Sequence, residues 1–168
     1  MKGREPRRRL RAVLFGLSVL CGVAASCAAP RVTERLYIGP MAREGREAGV
    51  CLMPFAVTSF DIGGAEEIRA IMDRKMAVAL LSRAEITVRE PGEDCRVALY
   101  PELIVKRYQQ RYAERYYYLM SVSVRSAGEL VGRYTYEYNG TSSIFDGRVQ
   151  TSLIERFVDD FARRPGKT

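Results

Sequence analysis

The alternation of apolar and polar positions after residue 48 predicts a single domain that contains both strands and helices. Residues 50–57 form an almost continuous apolar run, which is typical of a strand that is buried on both faces. Pro54 interrupts this run and indicates a bulge or a sheet edge. From residue 65 to about residue 82 the apolar spacing becomes helical. Glu66 and Glu67 stand in the first turn of that helix and suit its dipole.

The second half of the chain predicts further strands and a closing helix. The predicted elements are a short strand at residues 86–88, long strands at about 96–107, 115–126 and 129–138, and a helix that begins at Ser143 or Asp146 and ends at Pro165-Gly166. We therefore expect an α+β fold, a two-layer sandwich with both helices on one face of a mixed, mostly antiparallel sheet of four or five strands.

The first 26 residues have the pattern of a secretory signal peptide. Six basic residues precede an uncharged run from residue 12 to residue 25, and small residues stand directly before Cys27. This arrangement resembles the bacterial lipobox of the Leu-Ala-Gly-Cys type, with Ala24 at the usual leucine position. The resemblance implies cleavage before Cys27 and acylation of its sulfur and its new amino group. Plain secretion and an uncleaved anchor are the alternatives, although a spanning helix needs about 20 apolar residues.

Accepting the lipobox divides the chain into four parts. These are a signal peptide at 1–26, a lipidated cysteine and tether at 27–47 with a short extended piece at 36–38, one domain at 48–164, and a tail at 165–168. Three acyl chains would anchor the protein stably in a bilayer. Ala28, where an aspartate would favour the inner membrane, indicates the periplasmic face of the outer membrane. The lipid bilayer is therefore the first expected partner.

Removing the signal peptide also changes the charge balance. The full chain has 27 basic and 20 acidic residues and a net charge of +7. Residues 1–26 carry six basic residues and one acidic residue, so the mature chain keeps 21 and 19, a net charge of +2. A nucleic-acid-binding domain normally keeps a strong basic excess. We therefore expect no nucleic acid among the partners.

Two cysteines remain in the mature domain. Cys51 and Cys95 would form one disulfide in an oxidising periplasm. The alternative is that they are two separate buried thiols, because a free cysteine behaves as a small hydrophobic residue.

The residues that most catalytic sites require are missing. The chain contains no histidine, which excludes histidine-based triads and histidine metal sites. Adjacent carboxylates such as Glu66/Glu67 and Asp159/Asp160 do not face each other on a helix. We expect no enzymatic activity, no cofactor and no metal, with a carboxylate-dependent hydrolase as the remaining catalytic alternative.

Tyrosine is concentrated in the predicted long strands, with eight of the ten tyrosines between Tyr108 and Tyr138. These side chains either line a half-buried sheet face or bind a partner from the face opposite the helices, because tyrosine is enriched in protein interfaces. The candidate partner-binding residues are Tyr116, Tyr118, Tyr134, Tyr136, Tyr138, Arg125 and Arg133.

Three segments resemble small α/β lipoproteins of the outer membrane. They are the strand Val-Cys-Leu-Met-Pro-Phe at 50–55, the helix start Phe-Asp-Ile-Gly-Gly-Ala-Glu-Glu at 60–67, and the hairpin sequence Tyr-Tyr-Tyr-Leu-Met-Ser-Val-Ser-Val-Arg-Ser-Ala-Gly-Glu-Leu-Val-Gly at 116–132. They are similar to the LptE family, which works in lipopolysaccharide assembly, and to a group that contains LpoB-type activators of peptidoglycan synthases and the curli secretion lipoprotein. Three features of these families are missing: the Gly-aromatic motif after the LptE cysteine, the long LpoB linker and the curli hairpins.

The resemblance implies a non-enzymatic accessory lipoprotein in cell-envelope assembly that docks an envelope protein, with an LptE-like role favoured. An LpoB-like regulator is one alternative. Another is a module that binds a small glycan or lipid, which would require an enclosed apolar pocket between the sheet and the helices.

Overall fold

A computed structural model describes residues 30–37, 49–93 and 95–163 and contains one large sheet and two long helices. The strands are β1 (Arg31–Tyr37), β2 (Val50–Leu52), β3 (Ala56–Phe60), β4 (Val88–Arg89), β5 (Val97–Gln110), β6 (Ala113–Ser126) and β7 (Glu129–Gly140), and the helices are α1 (Ala65–Leu81) and α2 (Gly147–Ala162). Neither helix of this described part is long and apolar enough to cross a bilayer.

The seven strands occupy six positions in one mixed sheet. The order is β1-β7-β6-β5-β2-β4, and β3 also pairs with β5. The pairs β2–β4, β2–β5 and β3–β5 are parallel, whereas the pairs β1–β7, β5–β6 and β6–β7 are antiparallel. The expected α+β class and mixed sheet are therefore confirmed.

Pro54 divides the predicted first strand into β2 and β3. Proline cannot donate to a strand ladder, and pairing with β5 stops after Leu52 and resumes at Ala56. Between the two strands, the Phe55 N–H donates to Asp73 Oδ1 at 2.7 Å. Because Asp73 belongs to α1, this bond ties the strand break to the first helix.

The core lies between one face of the sheet and the two helices. Alternate positions of β5, β6 and β7 are buried together with one side of each helix. The buried side of α1 consists of Ile68, Met72, Met76 and Leu80, and the apolar buried side of α2 consists of Val149, Leu153, Ile154, Phe157, Val158 and Phe161. Both helices therefore cover the same face, as the sequence predicted.

The two helices begin in different ways. At the start of α1, Gly64 adopts a left-handed conformation with φ of 83°, which a glycine adopts without steric penalty. At the start of α2, the Asp146 carboxylate accepts a hydrogen bond from the Arg148 N–H at 3.0 Å. Asp146 rather than Ser143 is therefore the N-cap. The predicted stop at residues 165–166 lies outside the described residues, and α2 ends at Ala162.

β1 corrects the expectation of a tether that extends from residue 27 to residue 47. Residues 31–37 form an edge strand that pairs with β7 from Arg31↔Glu137 to Tyr37↔Gly132. The expected extended piece at 36–38 only overlaps the end of this strand. Together with the division at Pro54, β1 also explains why the sheet has more strands than predicted.

Candidate interaction surface

Four of the five tyrosines that were predicted to bind a partner lie in the core. Tyr118 and Tyr136 are 0% exposed, Tyr134 is 2% exposed and Tyr138 is 7% exposed. The Tyr134 ring meets Phe157 edge-on, with ring centroids 5.5 Å apart, so it packs beneath α2. The partner-binding interpretation is therefore wrong for these four side chains, because the helices cover the sheet face on which they lie.

Two of the buried tyrosines, Tyr118 and Tyr136, form hydrogen bonds through their hydroxyl groups within the fold. Tyr118 Oη donates to the Ser142 carbonyl at 2.8 Å, and Tyr136 Oη donates to Asp160 Oδ2 at 3.0 Å. Burial raises the pKa of Tyr118 well above its usual value. Tyr116, the fifth candidate, is half-buried and donates to Glu114 Oε2 at 3.0 Å. That hydrogen bond to a carboxylate raises the pKa of Tyr116.

The opposite face of the sheet is a different surface, which we call the open face. Among the described elements, both helices lie on the other side of the sheet. Its members occupy alternate positions that share one side through the strand register: Phe60, Tyr100, Glu102, Ile104, Lys106, Tyr117, Leu119, Ser121, Ser123, Arg125, Arg133, Thr135 and Glu137. Phe60 is 50% exposed, Tyr100 39% and Ile104 37%. The open face therefore presents apolar side chains among charged ones.

The two predicted arginines lie on this open face and are held by neighbours. The Arg125 guanidinium lies over the Tyr100 ring, 5.2 Å from its centroid, a cation–π contact. Arg133 Nε donates to Ser123 Oγ at 3.4 Å. Both arginines are exposed, so their charges are directed to solvent and to any molecule that covers this face.

A shallow depression of about 250 Å³ lies near the middle of the open face. Its lining is Glu102, Ile104, Leu119, Ser121, Arg133 and Thr135. Glu102 and Arg133 supply opposite charges, and Ile104 and Leu119 supply apolar surface. This composition suits a protein side chain with a polar end better than a purely apolar ligand.

A groove of about 570 Å³ runs between the two helices, on the other side of the molecule from the depression. It is lined by exposed positions such as Val78, which is 63% exposed, and is therefore open to solvent. Arg83 pairs with Asp159 across it. An enclosed apolar pocket between the sheet and the helices would favour a glycan or lipid module, and this groove does not have that form.

The acidic pairs that were considered for catalysis point in different directions. Asp159 faces the groove and pairs with Arg83, whereas Asp160 is directed inward to Tyr136. Glu66 pairs with Arg69 on the surface of α1. Within the described part of the chain, no group of three or more acidic or cysteine side chains is placed to hold a metal ion.

The predicted disulfide is present between Cys51 and Cys95, whose Cα atoms are 5.7 Å apart, within the range that the bond requires. Cys51 belongs to β2, and Cys95 precedes β5. The bond therefore fastens the start of the parallel part of the sheet. The predicted lipidation site Cys27 lies outside the described residues.

Sequence reasoning missed the apolar members of the open face. In β5 the residues Tyr100 and Ile104 alternate with the core positions Leu99, Leu103 and Val105. Apolar residues on both sides of a strand were the available signal, because a strand with one fully solvated face shows polar residues there.

Comparison with known proteins gives similarity at the level of the fold. No family model and no curated protein matches the chain. The PelC L103M dodecamer from Paraburkholderia phytofirmans has a TM-score of 0.53 at 17% identity, over 80% of this chain and 98% of that chain. Lipoprotein GNA1162 from Neisseria meningitidis has a TM-score of 0.44 at 12% identity, over 68% of this chain and 97% of that chain. The PelC comparison establishes a shared fold, and the LptE and LpoB assignments stay predictions.

Proposed function

We propose that this chain is a non-enzymatic lipoprotein that is anchored to the outer membrane through Cys27 and docks an envelope protein through the open face of its sheet. The observation that carries the docking role is the open face itself. Exposed Tyr100 and Ile104 lie there, opposite the face that the helices fill. Arg125 lies over the Tyr100 ring, and Arg133 lines the same depression as Ile104. Interface cores combine aromatic residues and arginine in this way.

The anchor is supported by the sequence before Cys27 and is tested by acyl labelling. Cells that express the chain are fed an alkyne-labelled fatty acid, and the purified protein is scored for label. We expect Cys27→Ser to abolish labelling, whereas Cys21→Ser, inside the signal peptide, keeps it. A wild-type protein without label would overturn the anchored-lipoprotein proposal.

Docking is tested by a pair of matched charge substitutions. Ile104→Glu places a carboxylate in the open face, and Val78→Glu places one at an exposed apolar position on α1, on the other side of the molecule. We expect Ile104→Glu, but not Val78→Glu, to lose an envelope protein that copurifies with the wild-type chain from detergent-solubilised membranes. If both variants retain that protein, the open face is not the docking site.

The identity of the copurifying protein decides between the more specific functions. A lipopolysaccharide-assembly protein would support the favoured LptE-like role, and a peptidoglycan synthase would support the LpoB-like alternative. Another copy of this chain is a second candidate occupant, because the similar PelC structure is a dodecamer. Light scattering on the purified lipoprotein detects self-association. The full chain has a mass of 19.0 kDa, and an assembly of several copies would have several times the mass of the chain without its signal peptide.

A further inference from the structure

The tip of the β5–β6 hairpin is the most exposed aromatic site in the described part of the chain. The hairpin pairs as far as Gln110↔Ala113, and Arg111 and Tyr112 form its turn. Arg111 has a left-handed backbone with φ of 56°, and Tyr112 is 101% exposed. The pairing of β6 with β7 stops at Tyr116↔Gly140. The tip therefore projects beyond the neighbouring strand.

The strand register relates the start of β1 to this tip. β1 begins at Arg31, which pairs with Glu137, and Glu137 pairs with Leu119. β1 and β6 run in the same direction, because both pair antiparallel to β7. Three residues, at positions 28–30, separate Cys27 from β1.

The distances along the strands decide which group extends further. Tyr112 lies seven residues beyond Leu119, which is about 23 Å at roughly 3.3 Å per residue. Cys27 lies four residues before Arg31 and reaches at most about 14 Å from it. The tip therefore lies at least about 9 Å further from the level of Arg31, along the strand direction, than Cys27 can reach.

Two other exposed aromatic side chains lie at the same end of the domain. Phe60 ends β3, pairs with Lys106 and is 50% exposed. Phe145 precedes α2, lies beside Gly64 at the start of α1 and is 43% exposed. Aromatic side chains at one end of a membrane protein are typical of the interface between headgroups and acyl chains.

The charge around the tip is mainly positive. Residues 106–115 contain four basic residues, Lys106, Arg107, Arg111 and Arg115, and one acidic residue, Glu114. Glu114 pairs with Arg107 at 3.8 Å, and Asp61 lines a groove at the base of the hairpin. The local excess of basic residues remains two when Asp61 is included, and basic groups near a bilayer favour anionic lipids.

From these relationships we infer that the hairpin tip is a second membrane contact, in which Tyr112 enters the interfacial region of the bilayer and Arg111 and Arg115 bind anionic phospholipid headgroups. The inference rests on the proposed anchor at Cys27, because a connection of at most about 14 Å to Arg31 would keep the domain close to the bilayer. The domain would then be held at two points, which orients the open face relative to the membrane.

The chain contains no tryptophan, so a single introduced tryptophan reports on its own surroundings. Tyr112→Trp is compared with Leu81→Trp, which is placed at the other end of the domain, where the wild-type side chain is 65% exposed. The purified lipoproteins are reconstituted into vesicles of phosphatidylethanolamine and phosphatidylglycerol, with and without brominated acyl chains. We expect a blue-shifted emission that is quenched by bromine for the tryptophan at 112, and neither effect for the one at 81.

Two further measurements separate the possible failures. Acyl label on Cys27 is scored on the same preparation, so an unlabelled protein contradicts the anchor, whereas a labelled protein with an unquenched tryptophan at 112 overturns the tip contact alone. Arg111→Gln and Arg115→Gln are then introduced into the Tyr112→Trp variant. Each should lower the ratio of quenched to unquenched tryptophan by about fivefold. If quenching of the tryptophan at 112 is unchanged when both arginines are replaced, the headgroup-binding part of the inference is overturned.

Discussion

Tyr136 Oη donates a hydrogen bond to Asp160 Oδ2 at 3.0 Å in the buried layer between β7 and α2. The Asp160 side chain is 1% exposed, and Arg156 Nε approaches the same oxygen at 3.7 Å from the surface. A buried carboxylate needs such partners because desolvation disfavours an unpaired charge. This contact makes Tyr136 a structural residue that fixes α2 on the sheet.

Replacing this hydroxyl should therefore change stability. We expect Tyr136→Phe to lower the free energy of unfolding by about 1–3 kcal/mol, because a buried polar partner loses a hydrogen bond. The control is Tyr108→Phe, which removes an exposed bond to Asn139 Oδ1 of 2.8 Å and should stay within about 0.5 kcal/mol of wild type. Urea unfolding measures both, and equal losses would contradict the structural role of the Tyr136–Asp160 bond.

The disulfide gives a prediction about additivity. Cys51 and Cys95 are 44 residues apart in sequence, and closing a loop of this length stabilises by about 4 kcal/mol in the chain-entropy model. We expect Cys51→Ser, Cys95→Ser and the double variant to lose similar amounts of unfolding free energy, because each breaks the same bond. Adding reductant should then destabilise the wild type alone. A double variant that loses about the sum of both single variants would show that the cysteines act separately.

The cap of α2 gives a prediction about acid stability. The Arg148 N–H, which donates to the Asp146 carboxylate, holds the pKa of that carboxyl below its ordinary value of 3.8. A folded pKa below the unfolded one means that the stabilisation is present above the unfolded value and is lost as pH falls through the folded value. The contribution of this cap should therefore decline below about pH 4.

Asp146→Asn keeps a side-chain acceptor at the N-cap and removes its titration. We expect the wild type to lose more stability than this variant between pH 7 and pH 3, as measured by thermal unfolding. Asp146→Ala should be less stable than both at pH 7. Identical pH profiles for wild type and Asp146→Asn would show that the cap does not depend on charge.

The long strands were predictable because one of their faces is buried. Tyr118 shares its side of β6 with Met120 and Val122, and the register places all three beneath the helices. The same alternation marks Tyr118 as a core residue, although residue type alone suggested an interface. For these tyrosines, strand position was a better guide to burial than the frequency of tyrosine in interfaces.

β1 and the open face depend on contacts between residues that are distant in sequence. The segment Arg31–Tyr37 contains three charged residues, so it lacks the alternation typical of a strand, and it joins the sheet as an edge strand beside β7. Likewise, the contact between Arg125 and Tyr100 arises only when β5 pairs with β6. Local sequence pattern therefore predicted the elements but not which exposed side chains share a surface.

Gly140, at the end of β7, provides a test of the packing beside the hairpin. A Cβ at this position would lie 2.6 Å from Cζ of Tyr138 and 2.9 Å from its Cε1. The Tyr138 ring stacks on Tyr118 with centroids 5.4 Å apart, so it has little room to move. We expect Gly140→Ala to lower the free energy of unfolding by about 1–3 kcal/mol through overpacking.

The matched control for this substitution is Gly63→Ala. A Cβ on Gly63 meets nothing within 4 Å, so this variant should remain within about 0.5 kcal/mol of wild type in the same urea titration. A third variant, Gly140→Ala with Tyr138→Leu, removes the ring that the new methyl group would meet. It should be less destabilised than the sum of the two single changes, because the two residues are in contact. Simple additivity would contradict a direct clash between Gly140 and Tyr138.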